Sequence, residues 1–164
     1  RDIKSGNVLV DSLGQPKLLD FGIAKSMQSE DDCTRPADRF LSPQSAAPEQ
    51  LRGDSVGVAC DVYALGSLAY ELLCGYLPLE LAGCSAAEFE RRLLSVPPPL
   101  MSQRLQTGDQ ALARERGGLD VRGLRAQLRG DLDAIVARCL RKEPGERYAS
   151  VAQLDEDQIG RAHV

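Results

Sequence analysis

Apolar and polar positions along the chain fall into stretches of different period, and each period predicts a different element. Val8-Leu9-Val10 is a short β-branched run closed by the turn signal Asp11-Ser12-Leu13-Gly14. Pro16 to Asp20 follows as a second short strand, so the two runs predict a hairpin. Residues 22–46 have no clean period and hold many Ser, Thr and Pro beside the acidic cluster Glu30-Asp31-Asp32. A polar loop this long inside a compact domain is usually functional or disordered. Pro48-Glu49-Gln50-Leu51 predicts a short helix with Pro at its first position.

From Asp61 the pattern becomes strongly helical. Val62, Leu65, Leu68, Ala69, Leu72 and Leu73 recur at spacings of three and four, and Gly75 is placed to end the helix. Ser85 to Leu94 predicts an amphipathic helix, with Ser85 as N-cap and Glu88 three residues on, stopped by Pro97-Pro98-Pro99. Residues 102–130 are polar and weakly patterned, with one short helix expected over Leu119 to Leu128. Asp131 is expected to cap a helix with Leu132, Ile135, Val136, Cys139 and Leu140 on one face; Arg141 and Lys142 close it and Pro144 follows. Ser150 opens a final helix with a second capping-box spacing.

Composition narrows the function classes. The chain has 164 residues, 43% hydrophobic, which suits one domain or a piece of a larger one and excludes wholesale disorder. The single histidine is His163, so multi-His metal sites and Ser-His-Asp catalysis within this chain are nearly excluded. The five cysteines form no C-x-x-C pair, which argues against zinc and thioredoxin-like chemistry and for reduced thiols in a cytosol. The most apolar stretch, Val62 to Leu79, contains Gly66, Glu71, Gly75 and Pro78 and reads as a buried helix and its exit, not a membrane span. Residues 1–90 carry a net charge of −7 and residues 91–147 a net +5, mostly arginine. No aromatic platform accompanies those arginines, so a solvated or substrate-docking face is expected rather than a nucleic-acid surface.

Three short motifs occur in order: Arg1-Asp2-Ile3-Lys4-Ser5-Gly6-Asn7, Asp20-Phe21-Gly22 and Ala47-Pro48-Glu49. Each alone is weak. In this order, with a hairpin between the first two, they are specific, and residues 1–157 resemble the C-terminal lobe of a eukaryotic-type serine/threonine protein kinase of the bacterial kind. The resemblance implies an α+β protein kinase-like fold: a mainly α-helical C-terminal lobe with a small β-hairpin, the N-terminal lobe being absent. It divides residues 1–157 into a catalytic loop (1–7), an activation segment (20–49) and a helical subdomain (50–157). It implies ATP and Mg²⁺ as cofactors. Phosphoryl transfer needs positioning and charge neutralisation more than covalent chemistry. Asp2 would orient the substrate hydroxyl and accept its proton, and Lys4 would place a cation near the transferred group. Asn7 and Asp20 would offer hard oxygen ligands to Mg²⁺.

Other positions match by resemblance. Asp61 corresponds to a buried aspartate that braces the catalytic-loop backbone. Glu49 and Arg147 correspond to a buried ion pair that ties the end of the activation segment to the helical lobe. Phe21 and Gly22 belong to the activation segment. Ser42 stands where the family has a Thr or Ser that bonds the catalytic Asp and Lys, although Leu41 replaces the usual Gly before it. Arg1, just before Asp2, could receive a phosphate on the activation segment; Thr34 is the preferred acceptor, with Ser29 and Ser26 as alternatives. Arg141-Lys142-Glu143-Pro144 and Glu146-Arg147-Tyr148 resemble bacterial kinases of this class.

The parent protein is therefore expected to phosphorylate Ser or Thr on protein substrates in bacterial signalling. No nucleic-acid partner is expected, kinase dimerisation is left open, and membrane attachment would come only through other segments. The kinase part is expected in the cytoplasm, and an inner-membrane anchor on its parent is left open. Without the phosphate-covering loop and the ATP-holding lysine of an N-terminal lobe, the chain alone is expected to bind ATP poorly and transfer no phosphate. Residues 158–164 are expected to be a non-native tail, since Ile159 to Val164 looks like one reading frame of a sequencing-library adapter. The alternatives are a pseudokinase serving as a scaffold, opposed by the presence of Asp2, Lys4, Asn7 and Asp20, and a small-molecule kinase, opposed by the Ala47-Pro48-Glu49 segment and Arg147.

Overall fold

The computed structural model describes residues 3–19, 46–80, 83–117 and 120–162, with side chains as far as residue 157. Its N-terminal part is a single turn of 3-10 helix, Ser5–Asn7, followed by strands β1 (Val8–Val10) and β2 (Pro16–Leu18). The strands pair antiparallel, Val8 opposite Leu18 and Val10 opposite Pro16. The turn between them closes on Asp11, whose Oδ1 accepts the N–H groups of Leu13 and Gln15 at 2.9 Å each. This is the Asx chemistry that makes Asp a turn former. The second strand is shorter than the expected run to Asp20, ending at Leu18.

Eight helices account for the rest of the described chain: α1 (Pro48–Arg52), α2 (Val58–Cys74), α3 (Ala86–Ser95), α4 (Met101–Arg104), α5 (Gln110–Glu115), α6 (Val121–Leu128), α7 (Asp131–Cys139) and α8 (Val151–Ala162). The central α2 starts three residues before Asp61, capped by Gly57, and ends at Gly75 in the left-handed conformation, φ 77°. Leu112 Cδ1 lies only 2.5 Å from where a Cβ at Gly75 would sit. Both the turn and the close approach therefore demand glycine there. Ser85 caps α3 as the spacing predicts, accepting from the Glu88 N–H. Glu88 does not reach back to complete the box. Its carboxylate holds Arg91 and Arg92 instead. At α7 the cap is Gly130, and Asp131 is already the first helical residue. At α8 Ser150 Oγ accepts from Gln153 N as the spacing predicts, while Gln153 Oε1 accepts from Ala149 N, one residue before the cap.

The core forms where α2 crosses α4, α6 and α7. Tyr63, Tyr70, Met101, Leu105, Leu124, Leu128, Val136 and Leu140 make its main cluster. A second cluster joins Val62, Ile135, Cys139, Tyr148 and Leu154, and a third seats α3 through Phe89 and Leu93 against Leu79 and Ala46. Helices α2 and α7 meet at Gly66, where an added Cβ would stand 2.4 Å from Cys139 Cβ. Only a residue without a side chain permits that approach. The short helices α4 and α5 have no clear period in the sequence. Buried Asp133 holds the first of them, accepting from Ser102 Oγ at 2.5 Å and from Ser102 N at 3.2 Å. Leu72, periodic in the sequence, is 59% exposed, at the rim of the helical face rather than in it. Among the described residues no helix is long and apolar enough to cross a membrane.

Candidate active site

Two neighbourhoods matter: the loop that carries Lys4 and Asn7, and the buried anchor at Glu49. In the first, Lys4 is extended, φ −155° and ψ 163°, and its carbonyl accepts from Asn7 N at 2.9 Å. That bond turns the chain through Ser5–Asn7, so Lys4 and Asn7 stand at the two ends of one tight turn. The Asn7 carbonyl accepts from Leu19 N at 2.6 Å. The hairpin is thereby folded back so that Leu19, the residue just before Asp20, is bonded to Asn7. Both Lys4 and Asn7 are half-buried. Ser5 Oγ donates to Glu71 Oε1 at 3.2 Å and ties this turn to α2. The sequence offers no sign of that tether, because Ser and Glu 66 residues apart have no shared pattern.

The second neighbourhood is a buried polar cluster in which every guanidinium hydrogen of Arg147 has an acceptor. Glu49 lies in α1 and Arg147 just after the 3-10 turn Pro144–Glu146, and both side chains are almost fully buried. Their contact is bidentate: Arg147 Nη1 donates to Glu49 Oε1 at 2.6 Å and Nη2 to Oε2 at 2.7 Å. The remaining guanidinium hydrogens go to backbone carbonyls. Nε donates to Arg141 O, Nη1 to Ala59 O and Nη2 to Lys142 O. The Tyr63 ring lies under the guanidinium, 4.9 Å from its carbon. Cys60 Sγ donates to Glu49 Oε1 at 3.0 Å.

Charges withdrawn from water cost free energy unless each is paired and hydrogen-bonded, and here both conditions hold. Burial pushes the Glu49 carboxyl up, but the Arg147 guanidinium and the Cys60 thiol outweigh it and hold it below the ordinary glutamate value. Burial, then the Glu49 carboxylate, push the Cys60 thiol up to about 12, so it stays a protonated donor. Cys60 was not visible from sequence as a partner of Glu49. Nor were the three carbonyls, since a backbone acceptor has no residue-type signature.

The sequence-predicted residues divide accordingly. Glu49 and Arg147 are brought together; Lys4 and Asn7 share one turn. Asp61 stands in the first turn of α2, half-buried. The loop backbone it is expected to brace includes Arg1 and Asp2, which lie outside the described residues. Asp20, Phe21, Gly22, Thr34 and Ser42 lie outside them too. Among the described residues no group of three or more His, Cys, Asp or Glu could hold a metal ion.

The turn that carries Lys4-x-x-Asn7 is tethered to α2 by Ser5 and Glu71, and the caged Glu49–Arg147 pair lies within the helical body, holding α1 to the segment after α7. In the family comparison the protein kinase domain matches residues 1–158, and the chain belongs to the protein kinase family. It is similar to bacterial serine/threonine kinases. The serine/threonine-protein kinase PknB of Mycobacterium leprae is 34% identical over 160 residues, covering 97% of this chain and 22% of that protein. PknB of Mycobacterium tuberculosis is 32% identical over 161 residues, with the same coverage of each chain. A probable serine/threonine-protein kinase PknB of Lactococcus lactis is 40% identical over 97 residues, 59% of this chain and 15% of that protein. The chain thus spans about a fifth of the length of the curated relatives it matches over nearly its whole extent.

Proposed function

We propose that this chain is the C-terminal lobe of the catalytic domain of a bacterial serine/threonine protein kinase, and that the protein carrying it transfers the γ-phosphoryl group of ATP to Ser or Thr of protein substrates. The observation that carries the reading is the bond from Leu19 N to Asn7 O. It ties the turn of Lys4 and Asn7 to Leu19, one residue before Asp20 in the sequence, which supports the reading that Asn7 and Asp20 act together.

The donor chemistry fits Mg²⁺, which prefers hard oxygens and keeps ligands from phosphate and water. Asn7 offers an amide oxygen and Asp20 a carboxylate. The ion, when bound with ATP, neutralises charge that builds on the phosphates. The chain's own residues do the rest. Asp2 orients the substrate hydroxyl and takes its proton. Lys4, on the extended backbone two residues on, supplies a positive charge beside the transferred group. Glu49 and Arg147 touch no reactant; they fix the end of the segment 20–49 to the helical body. Thr34 is proposed as a phosphoacceptor that would pair with Arg1. The kinase part is proposed to face the cytoplasm, with any anchor carried by other segments.

The test is metal dependence in the full-length protein. Asp20→Ala and Asn7→Ala should each lower phosphoryl transfer by roughly 100-fold or more, while thermal melting stays within a few degrees of the parent. Transfer to Ser or Thr that is equally fast in both variants would overturn the assignment.

A further inference from the structure

Lys142 is set apart from the other basic residues of the helical body. From residue 26 to the C-terminus it is the only lysine, among fifteen arginines. Its side chain turns inward after α7, and Nζ donates to Leu93 O, in the last turn of α3, at 2.8 Å. That acceptor is a neutral carbonyl, not a carboxylate. Lys142 also lines a cavity of about 210 Å³ between α7 and the Pro97–Pro99 segment, walled by Pro98, Leu100 and Leu140. Asp133, Arg141, Glu143 and Glu146 line the same cavity, and the Arg147 guanidinium lies behind the lysine.

We infer that the ε-amine of Lys142 is a site of acyl transfer from small activated acyl donors, such as an acyl phosphate. The amine lone pair attacks the acyl carbon, and the carbon–oxygen bond to phosphate breaks. Phosphate leaves with that electron pair, and the amine loses its proton to solvent. The product is an amide that carries no charge and keeps one N–H for the Leu93 carbonyl.

The environment supplies the reactivity. Burial first, and the Arg147 charge second, push the amine down to about 8 from the 10.5 of an ordinary lysine. The neutral, nucleophilic form is then abundant near pH 8, where a solvated lysine is almost wholly protonated. Lys17 is the internal control: it is exposed and paired to Asp11. The position also has consequences. The Lys142 carbonyl accepts from Arg147 and its amine donates to the Leu93 carbonyl of α3, so one residue joins α3 to the Glu49 anchor.

The experiment treats the protein with acetyl phosphate at pH 8 and follows acetylation at each lysine by mass spectrometry, in buffer and in urea. Lys142 is expected to react at least about tenfold faster than Lys17 in the folded protein, with that preference lost in urea. Its rate should rise with pH through a midpoint near 8. Equal or slower reaction at Lys142 than at Lys17 in the folded protein would overturn the inference, as would a preference that survives in urea. Lys142→Arg, which cannot be acetylated at this position, identifies the modified peptide.

Discussion

The helical body and the hairpin are held by different means. In the body, Glu49 and Arg147 are buried together, every guanidinium hydrogen has an acceptor, and three of the four tyrosines are in the core. The hairpin has three-residue strands with no buried residue, and Leu9, Val10 and Leu13 are 55%, 66% and 83% exposed. Local hydrogen bonds shape it: the two amides on Asp11 and the Leu19 bond to Asn7. The body is thus a scaffold whose geometry is set by burial. The hairpin, which follows Lys4 and Asn7 in the chain, stands on a frame set by turn chemistry, the kind of structure found at the low-stability end of a fold.

Five variants and one titration probe that contrast. The largest effect should come from Arg147→Met, which leaves the Glu49 carboxylate buried and unpaired; about 3–5 kcal/mol of stability should be lost in denaturant unfolding. The pair Glu49→Met with Arg147→Met should recover most of it, because an apolar pair does not strand a charge. Gly66→Ala comes next. Its Cβ would meet Cys139, and since both atoms sit on packed helix backbones, about 1–3 kcal/mol should be lost. Ser85→Ala removes the α3 cap and should cost about 1 kcal/mol. Asp11→Ala should leave the melting midpoint of the body unchanged while the Leu13 and Gln15 amides lose hydrogen-exchange protection.

The titration concerns the same anchor. Glu49 is held below its ordinary value of 4.5, so the folded state binds its proton less readily than the unfolded one. Its contribution to stability is full above pH 4.5 and fades as pH falls through the lower folded value. The melting midpoint of the parent should therefore fall on acidification below pH 4.5 more steeply than that of the Glu49→Met, Arg147→Met variant. Parallel curves would remove the anchor from the explanation of acid lability.

Much of this could be read along the chain wherever the cause was local. Ser85, its apolar run and the Pro97–Pro99 stop lie within fifteen residues, and α3 follows from them. Gly75 ends α2 because the conformation and the glycine are one position. The cap of α7 is Gly130 rather than the expected Asp131, since a glycine at positive φ serves there without any side-chain signal. Helices α4 and α5 left no period because four and six residues cannot show one; Asp133 and the core place them. In the site, Glu49 and Arg147 were legible only through the family's motifs, 98 residues apart. Their cage of carbonyls and the Cys60 thiol exist only once the chain is folded.

The most direct measurement is phosphoamino acid analysis of a protein substrate after incubation with labelled ATP and Mg²⁺, comparing the full-length protein with its Asp2→Asn variant. The expected result is label on phosphoserine or phosphothreonine, reduced by roughly 1,000-fold in the variant at unchanged thermal stability. Label that persists in the variant, or that falls on tyrosine alone, would contradict the assignment.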